Sequence, residues 1–131
     1  MTERKTSSTN YRNQSFLEEK CRLNELLDLV SKRWFSDVLF CIHEGNNRFK
    51  LIKDDLKYIS DTILSDRLKL LEKYNLITRM DYDEIPPKVE YSLTIKGEEL
   101  IELLEQMCEF SETLISKNDL ISKTALASAA L

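Results

Sequence analysis

The stretch from Asp83 to Thr94 reads DEIPPKVEYSLT, and it places both prolines of a 131-residue chain side by side, just ahead of an alternating run. Proline fixes φ and has no N–H to give, so Pro86 and Pro87 do not belong in the middle of a strand ladder. They mark the end of one hairpin arm. After them Val89, Tyr91 and Leu93 alternate with Glu90, Ser92 and Thr94, the period of a half-buried strand. Before them LITRMDY, Leu76 to Tyr82, supplies a partner strand. The reading is a β-hairpin with a long, stiffened tip, and its purpose depends on its flanks.

Working outward, the length suits one domain with a modest core. Leu, Glu and Lys dominate, and there are two glycines and two prolines, so a mainly helical fold with one small hairpin is expected. No apolar run approaches the roughly 20 residues that span a bilayer. The polar start MTERKTSSTNYRNQ lacks the apolar stretch of a signal peptide. The sequence therefore predicts a soluble, cytoplasmic protein with no membrane contact. Three scattered cysteines, Cys21, Cys41 and Cys108, are too few for a disulfide framework or a zinc site, and no cofactor or metal is expected.

The net charge is -4, which argues mildly against a nucleic-acid partner, but the distribution matters more than the total. From Gly45 to Lys96 there are ten Lys and Arg against nine Asp and Glu. The acid is concentrated outside the middle of the chain.

Residues 1–14 are polar and without periodicity and are expected to form a flexible arm. From Phe16 a first helix is expected, carrying Phe16, Leu17, Leu23, Leu26, Leu27 and Val30. Ser31 is placed as cap of a second helix, with Trp34, Val38, Cys41 and Ile42 inward until Gly45 stops it. GNNRF is a turn, and a third helix over Lys50 to Lys57 is expected to bury Leu51, Ile52 and Leu56. In the fourth, Ser60 is the N-cap and Asp61 suits the positive end of the helix dipole. Ile63, Leu64, Leu68 and Leu71 face inward, leaving Asp61, Thr62, Ser65, Asp66 and Lys69 outward. After the hairpin, Thr94 caps a last helix from Ile95 to Lys117 whose apolar positions cover too wide an arc for one docking face. Dimerisation through this helix and the first is the economical explanation. The expected division is an arm over 1–14, one domain over 15–117 and a tail over 118–131.

Three short helices followed by a two-stranded wing make a winged helix-turn-helix, in which the second helix of the turn enters the DNA major groove. The paired prolines would then stiffen a wing tip lying beside that helix. From Cys21 to Leu100 the chain also resembles the HxlR-type transcriptional regulators, within the broader MarR-like winged-helix group. The resemblance is carried by RMDYDEIPPKVEYSLTIKGEEL, by SKRW with Trp34, by Arg48-Phe49 and by ISDTILSDRLKLLEK. It implies a homodimer on a partly palindromic operator in double-stranded DNA, often answering oxidants, electrophiles or aldehydes. Lys57-Tyr58 replaces a glycine often found before the Ile-Ser pair, and Arg22 follows Cys21 where a proline is common.

DNA binding combines backbone contacts that position with base contacts that specify. The candidates on the recognition helix are Ser60, Thr62, Ser65, Asp66 and Lys69, with Arg67 if it reaches a phosphate. A bland solvated helix face is the competing reading. Arg79 and Lys88 are the wing cations placed for phosphate or a narrow minor groove, against a reading as plain surface charge. Lys53 and Lys57 are weaker candidates, and Tyr91 and Val89 read as wing packing.

Cys21, flanked by Lys20 and Arg22, suits a redox or electrophile sensor, since nearby cations favour the reactive thiolate. Cys108 is its candidate partner, with a packed interface residue as the alternative. Cys41 fits the core stripe. His43, the one histidine, sits near a helix end where a cation is favoured. An enzyme is not expected, because there is no nucleophile motif and no glycine-rich phosphate loop. Asp54-Asp55 and Glu98-Glu99 read as solvated pairs. Two rivals remain: a regulator answering a small molecule that enters between the dimer helices and the DNA-binding domains, and a winged-helix module for protein association.

Overall fold

The alternation after the prolines forms a strand, and its partner is the expected one. In the computed structural model, which describes residues 22–115, the elements are α1 (Leu23–Val30), α2 (Phe35–His43), α3 (Phe49–Leu56), α4 (Asp61–Lys73), β1 (Ile77–Tyr82), β2 (Lys88–Leu93) and α5 (Ile95–Leu114). The strands pair antiparallel, with Ile77 opposite Leu93 and Tyr82 opposite Lys88. Period-two alternation turns Ile77 and Tyr91 into the core and leaves Thr78 and Ser92 outside, where their hydroxyls share a 2.9 Å hydrogen bond. On the far edge of β2 the Tyr91 N–H donates to the Asn47 carbonyl at 2.8 Å. The wing is thus fastened to the turn ahead of α3.

Both helices whose starts were legible are capped as the side chains dictate. The Ser60 Oγ accepts from the Ile63 N–H at 3.1 Å, and the Thr94 Oγ1 accepts from the Gly97 N–H at 3.0 Å. Gly45, with φ of 105°, ends α2. Asn75, at φ 57°, does the same for α4. In each case the residue after it bonds back five positions, Asn46 to Cys41 and Leu76 to Leu71, which satisfies carbonyls the helix end leaves open.

Ser31 departs from expectation. It does not cap the second helix but closes α1, donating its Oγ to the Asp28 carbonyl at 3.0 Å. A turn over 31–34 intervenes, and α2 starts only after Trp34, which adopts a left-handed φ of 72° and offers no capping side chain. The expected starts and ends of the outer helices at Phe16 and Lys117 lie outside the described residues, as do the arm and the tail.

The core surrounds α2, whose Phe35, Val38 and Leu39 are fully buried together with Ile52, Leu64 and Leu71. Burying a side chain of this size contributes about 1.5–3 kcal/mol, so α2 is the principal apolar support of the domain. In α3 only Ile52 is buried; Leu51 is exposed, contrary to expectation, and Leu56 is half-buried. α5 docks through Leu100, Ile101 and Leu104. At its start a side chain on Gly97 would place a Cβ 2.1 Å from the Leu76 carbonyl oxygen, so this approach of helix to backbone requires glycine.

Beside this docking stripe, a flank of α5 is apolar and open. Leu103, Met107 and Phe110 face Leu23, Leu26 and Leu27 of α1 across a groove of about 590 Å³, and all six are exposed. Among the described residues, no helix is long and apolar enough to cross a membrane.

Candidate nucleic-acid interface

α3 and α4 are joined by four residues, Lys57 to Ser60. At Lys57 the chain turns sharply, with φ 55° and ψ -57°. The Tyr58 N–H reaches back to the Leu56 carbonyl at 2.6 Å. A non-glycine residue held at positive φ in such a turn costs about 1–3 kcal/mol. Lys53 secures the corner: its Nζ donates to the Ile59 carbonyl at 2.6 Å and lies 2.8 Å from the Asp61 carboxylate at the start of α4.

Beyond the corner, Thr62, Ser65, Asp66 and Lys69 recur at helical spacing along one side of α4. Thr62, Asp66 and Lys69 are exposed and Ser65 half-buried, so the structure brings these four together on one face. Ser60 stands at its head, with its hydroxyl proton still able to donate. Arg67 is turned away. Its Nε donates to the Arg33 carbonyl at 2.8 Å, its Nη1 pairs with the Asp66 carboxylate, and its side chain is only 15% exposed.

The wing cations are also engaged. Arg79 pairs with Asp81 at 3.0 Å. Lys88 pairs with Glu90 at 2.9 Å and lies 5.0 Å from the centre of the Tyr82 ring. The hydrogen bond from Lys88 holds the Glu90 carboxyl below its ordinary pKa, and Glu90 in turn raises that of Lys88. From Ile77 to Leu93 the wing carries Arg79 and Lys88 against Asp81, Asp83, Glu84 and Glu90. Tyr91 and Val89 pack inward, buried and half-buried.

Two cations that the sequence reading passed over stand beside the wing. Arg48 and Lys50, at the start of α3, line a groove of about 450 Å³ together with Pro87 and Val89. A signal was present in RFK, because cations at the positive end of a helix dipole are unfavourable unless an anion joins them.

The two described cysteines differ. Cys41 is buried, and its thiol donates to Asp55 at 3.3 Å. Burial first, and the Asp55 hydrogen bond second, push its pKa up to about 12. Asp55 is therefore more than a solvated acid. Cys108 is exposed on α5, whereas Cys21 lies outside the described residues.

The family model described as HxlR-like helix-turn-helix matches residues 29–119. The chain belongs to the HxlR-like helix-turn-helix family. An HTH-type transcriptional regulator of Halalkalibacterium halodurans is 39% identical over 85 residues, 64% of this chain and 75% of that protein. The HTH-type transcriptional regulator YodB of Bacillus subtilis is 30% identical over 100 residues, 76% of this chain and 89% of its own. The reduced form of YodB superposes with a TM-score of 0.65 at 32% identity, covering 70% of this chain and 89% of that one. The redox regulator HypR in its reduced form gives a TM-score of 0.66 at 28% identity, covering 78% and 98%. The HxlR-like chain is thus a DNA-binding transcriptional regulator with the winged helix-turn-helix fold, and its relatives are regulators rather than enzymes.

Proposed function

We propose that the protein acts as a homodimer on a partly palindromic operator, with α4 as the recognition helix. The observation that carries this reading is the single polar face formed by Thr62, Ser65, Asp66 and Lys69 on a helix capped by Ser60. Hydroxyls read bases permissively, Lys69 suits guanine, and Asp66 accepts from a cytosine amino group. Ser60, Arg48 and Lys50 supply phosphate contacts, and Arg79 and Lys88 join them by exchanging their carboxylate partners for phosphates. The domain over 15–117 dimerises through α1 and α5, whose open apolar groove supports a second copy as occupant. Two recognition helices then address half-sites about 34 Å apart.

Regulation is assigned to oxidants or electrophiles acting at Cys21, with Cys108 as its partner across the dimer. Support comes from HypR, a redox regulator, and from the diamide-treated form of YodB. Cys41 is excluded on chemistry, since a thiol with a pKa of about 12 stays protonated. A small molecule entering at the dimer helices is the non-redox version of the same scheme.

The test is electrophoretic mobility of DNA from the protein's own upstream region with reduced protein, diamide-treated protein and a Cys21→Ser variant. Diamide is expected to change specific binding in the wild type and not in the variant. Indifference to diamide removes the cysteine and keeps the regulator. A second reading, a module for protein association, is favoured by one observation: carboxylates outnumber cations on the wing. Phosphate contacts give affinity that falls steeply with salt on any duplex, whereas a protein-docking module binds no duplex even at low salt.

A further inference from the structure

Arg67 is a basic side chain of α4 that reaches behind the helix as well as to its exposed face. Its Nε–H donates across 34 positions of sequence to the Arg33 carbonyl at 2.8 Å. That carbonyl belongs to the turn between α1 and α2. The turn is itself tightly built: Ser31 is fixed to Asp28, the Phe35 N–H returns to the Lys32 carbonyl at 3.1 Å, Trp34 is held at a φ of 72°, and the Arg33 guanidinium stacks 5.3 Å from the Trp34 ring. Phe35, directly after it, is fully buried. The carbonyl is therefore presented by a rigid element. The other arm of the same guanidinium pairs with Asp66, a member of the exposed face of α4.

We propose that Arg67 is a specificity-positioning residue: by bridging the Arg33 carbonyl and the Asp66 carboxylate, it fixes the rotation of the recognition helix and aims Asp66 without touching DNA. This rests on the reading of α4 as the recognition helix and adds how that helix is held. The planar fork suits the task, because a guanidinium offers donors in two fixed directions, one for each partner. Neutralising Asp66 from behind also lessens the repulsion an aspartate would meet among phosphates. A lysine has one point charge and no fork, so it replaces the bridge only in part.

The bridge also joins two regions otherwise separate in sequence. Arg33 follows α1, one wall of the open apolar groove, so the recognition helix is tied through a single side chain to the end of the helix that meets the second copy. The orientation of α4, seated on the core through Leu64, Leu68 and Leu71, is thereby also coupled to the dimer side of the domain.

The test measures Arg67→Met and Arg67→Lys in the full chain against the upstream duplex and a scrambled duplex of equal length, each over a range of salt. Thermal unfolding is followed in parallel, as is the carbon shift of the Arg33 carbonyl. For Arg67→Met, binding to the upstream duplex is expected to fall about tenfold, the scale of one lost charge-assisted hydrogen bond. Binding to the scrambled duplex and the salt slope stay unchanged, the Arg33 carbonyl shift moves, and Arg67→Lys recovers part of the loss. A uniform loss on both duplexes, with the salt slope reduced by about one, makes Arg67 a phosphate contact and overturns the proposal. A lowered melting temperature with an unchanged ratio between the duplexes overturns it in favour of a purely structural role. Wild-type protein that binds neither duplex at low salt overturns the reading of α4 itself; an unmoved Arg33 shift in Arg67→Met overturns the bridge alone.

Discussion

α4 and α5 begin alike and end in opposite relations to water. Each is capped by a hydroxyl, Ser60 or Thr94, and each buries a stripe of three large aliphatics, Leu64, Leu68 and Leu71 or Leu100, Ile101 and Leu104. Opposite its stripe α4 exposes Thr62, Asp66 and Lys69, while beside its stripe α5 exposes Leu103, Met107 and Phe110. The inner stripes hold the domain together and say little about its work. The outer faces differ in what can cover them, since a hydroxyl-rich, mixed-charge face is already satisfied by water and can exchange it for phosphate and base edges. An apolar face of several large side chains gains by leaving water altogether.

The sharpest way to break this contrast is to charge the face of α5. Met107→Glu is expected to leave the single chain folded, because Met107 is already 50% exposed within it. In a dimer the carboxylate would be buried without a partner, at a cost of about 3–5 kcal/mol. Sedimentation equilibrium should show association weakened more than a hundredfold, and operator binding should fall with it. Unchanged association would move the second copy to another surface.

The caps offer a finer comparison. The Ser60 Oγ makes one bond, to Ile63, and Ser60→Ala should cost about 1 kcal/mol. The Thr94 Oγ1 accepts from Gly97 and also donates to the Asn75 carbonyl at 2.6 Å, tying the end of α4 to the start of α5. Thr94→Ala should therefore cost about 2 kcal/mol. Denaturant unfolding of the two variants checks the order, and a reversal would mean that the joint between the helices carries little.

The smallest effect lies on the wing. Lys88→Gln should let the Glu90 carboxyl pKa climb back toward its ordinary value, as followed by carbon NMR titration. The sign is fixed by the depression: a carboxyl whose folded pKa is lowered stabilises the fold above its unfolded pKa, and that contribution is lost as pH falls through the folded value. The wild-type wing should thus loosen on acidification, and the variant should show less of this dependence.

What could be read from sequence was local. The caps at Ser60 and Thr94, the alternation from Val89 to Leu93 and the glycine stop at Gly45 each rest on chemistry within a few residues. Even the ion pairs of Arg79 with Asp81 and of Lys88 with Glu90 were open to inference, since residues two apart on a strand share a face. Other features depend on distant neighbours. Phe35 and Leu39 are buried because α2 is surrounded by other elements, which widens its apolar arc beyond the stripe first assigned to it. Leu51 is exposed because α3 meets the core through Ile52, with Phe49 and Leu56 packed partly against it, and Leu51 falls off that side. The partner of Arg67 lies 34 positions away, and no periodicity points to it. Trp34, as a bulky residue in a left-handed conformation, runs against propensity, which is why Ser31 looked like the better helix start.

The buried thiol of Cys41 has a consequence for kinetics. Sealed in the core, bonded to Asp55 and protonated at any physiological pH, it can meet an alkylating reagent only when α2 parts from its neighbours. Its labelling rate relative to that of a free thiol therefore counts the fraction of molecules momentarily open. That fraction includes local partings of α2 from α3 as well as global unfolding, so it sets an upper bound on the unfolded population, and a time course of mass increments on the peptide holding Cys41 would read it without denaturant.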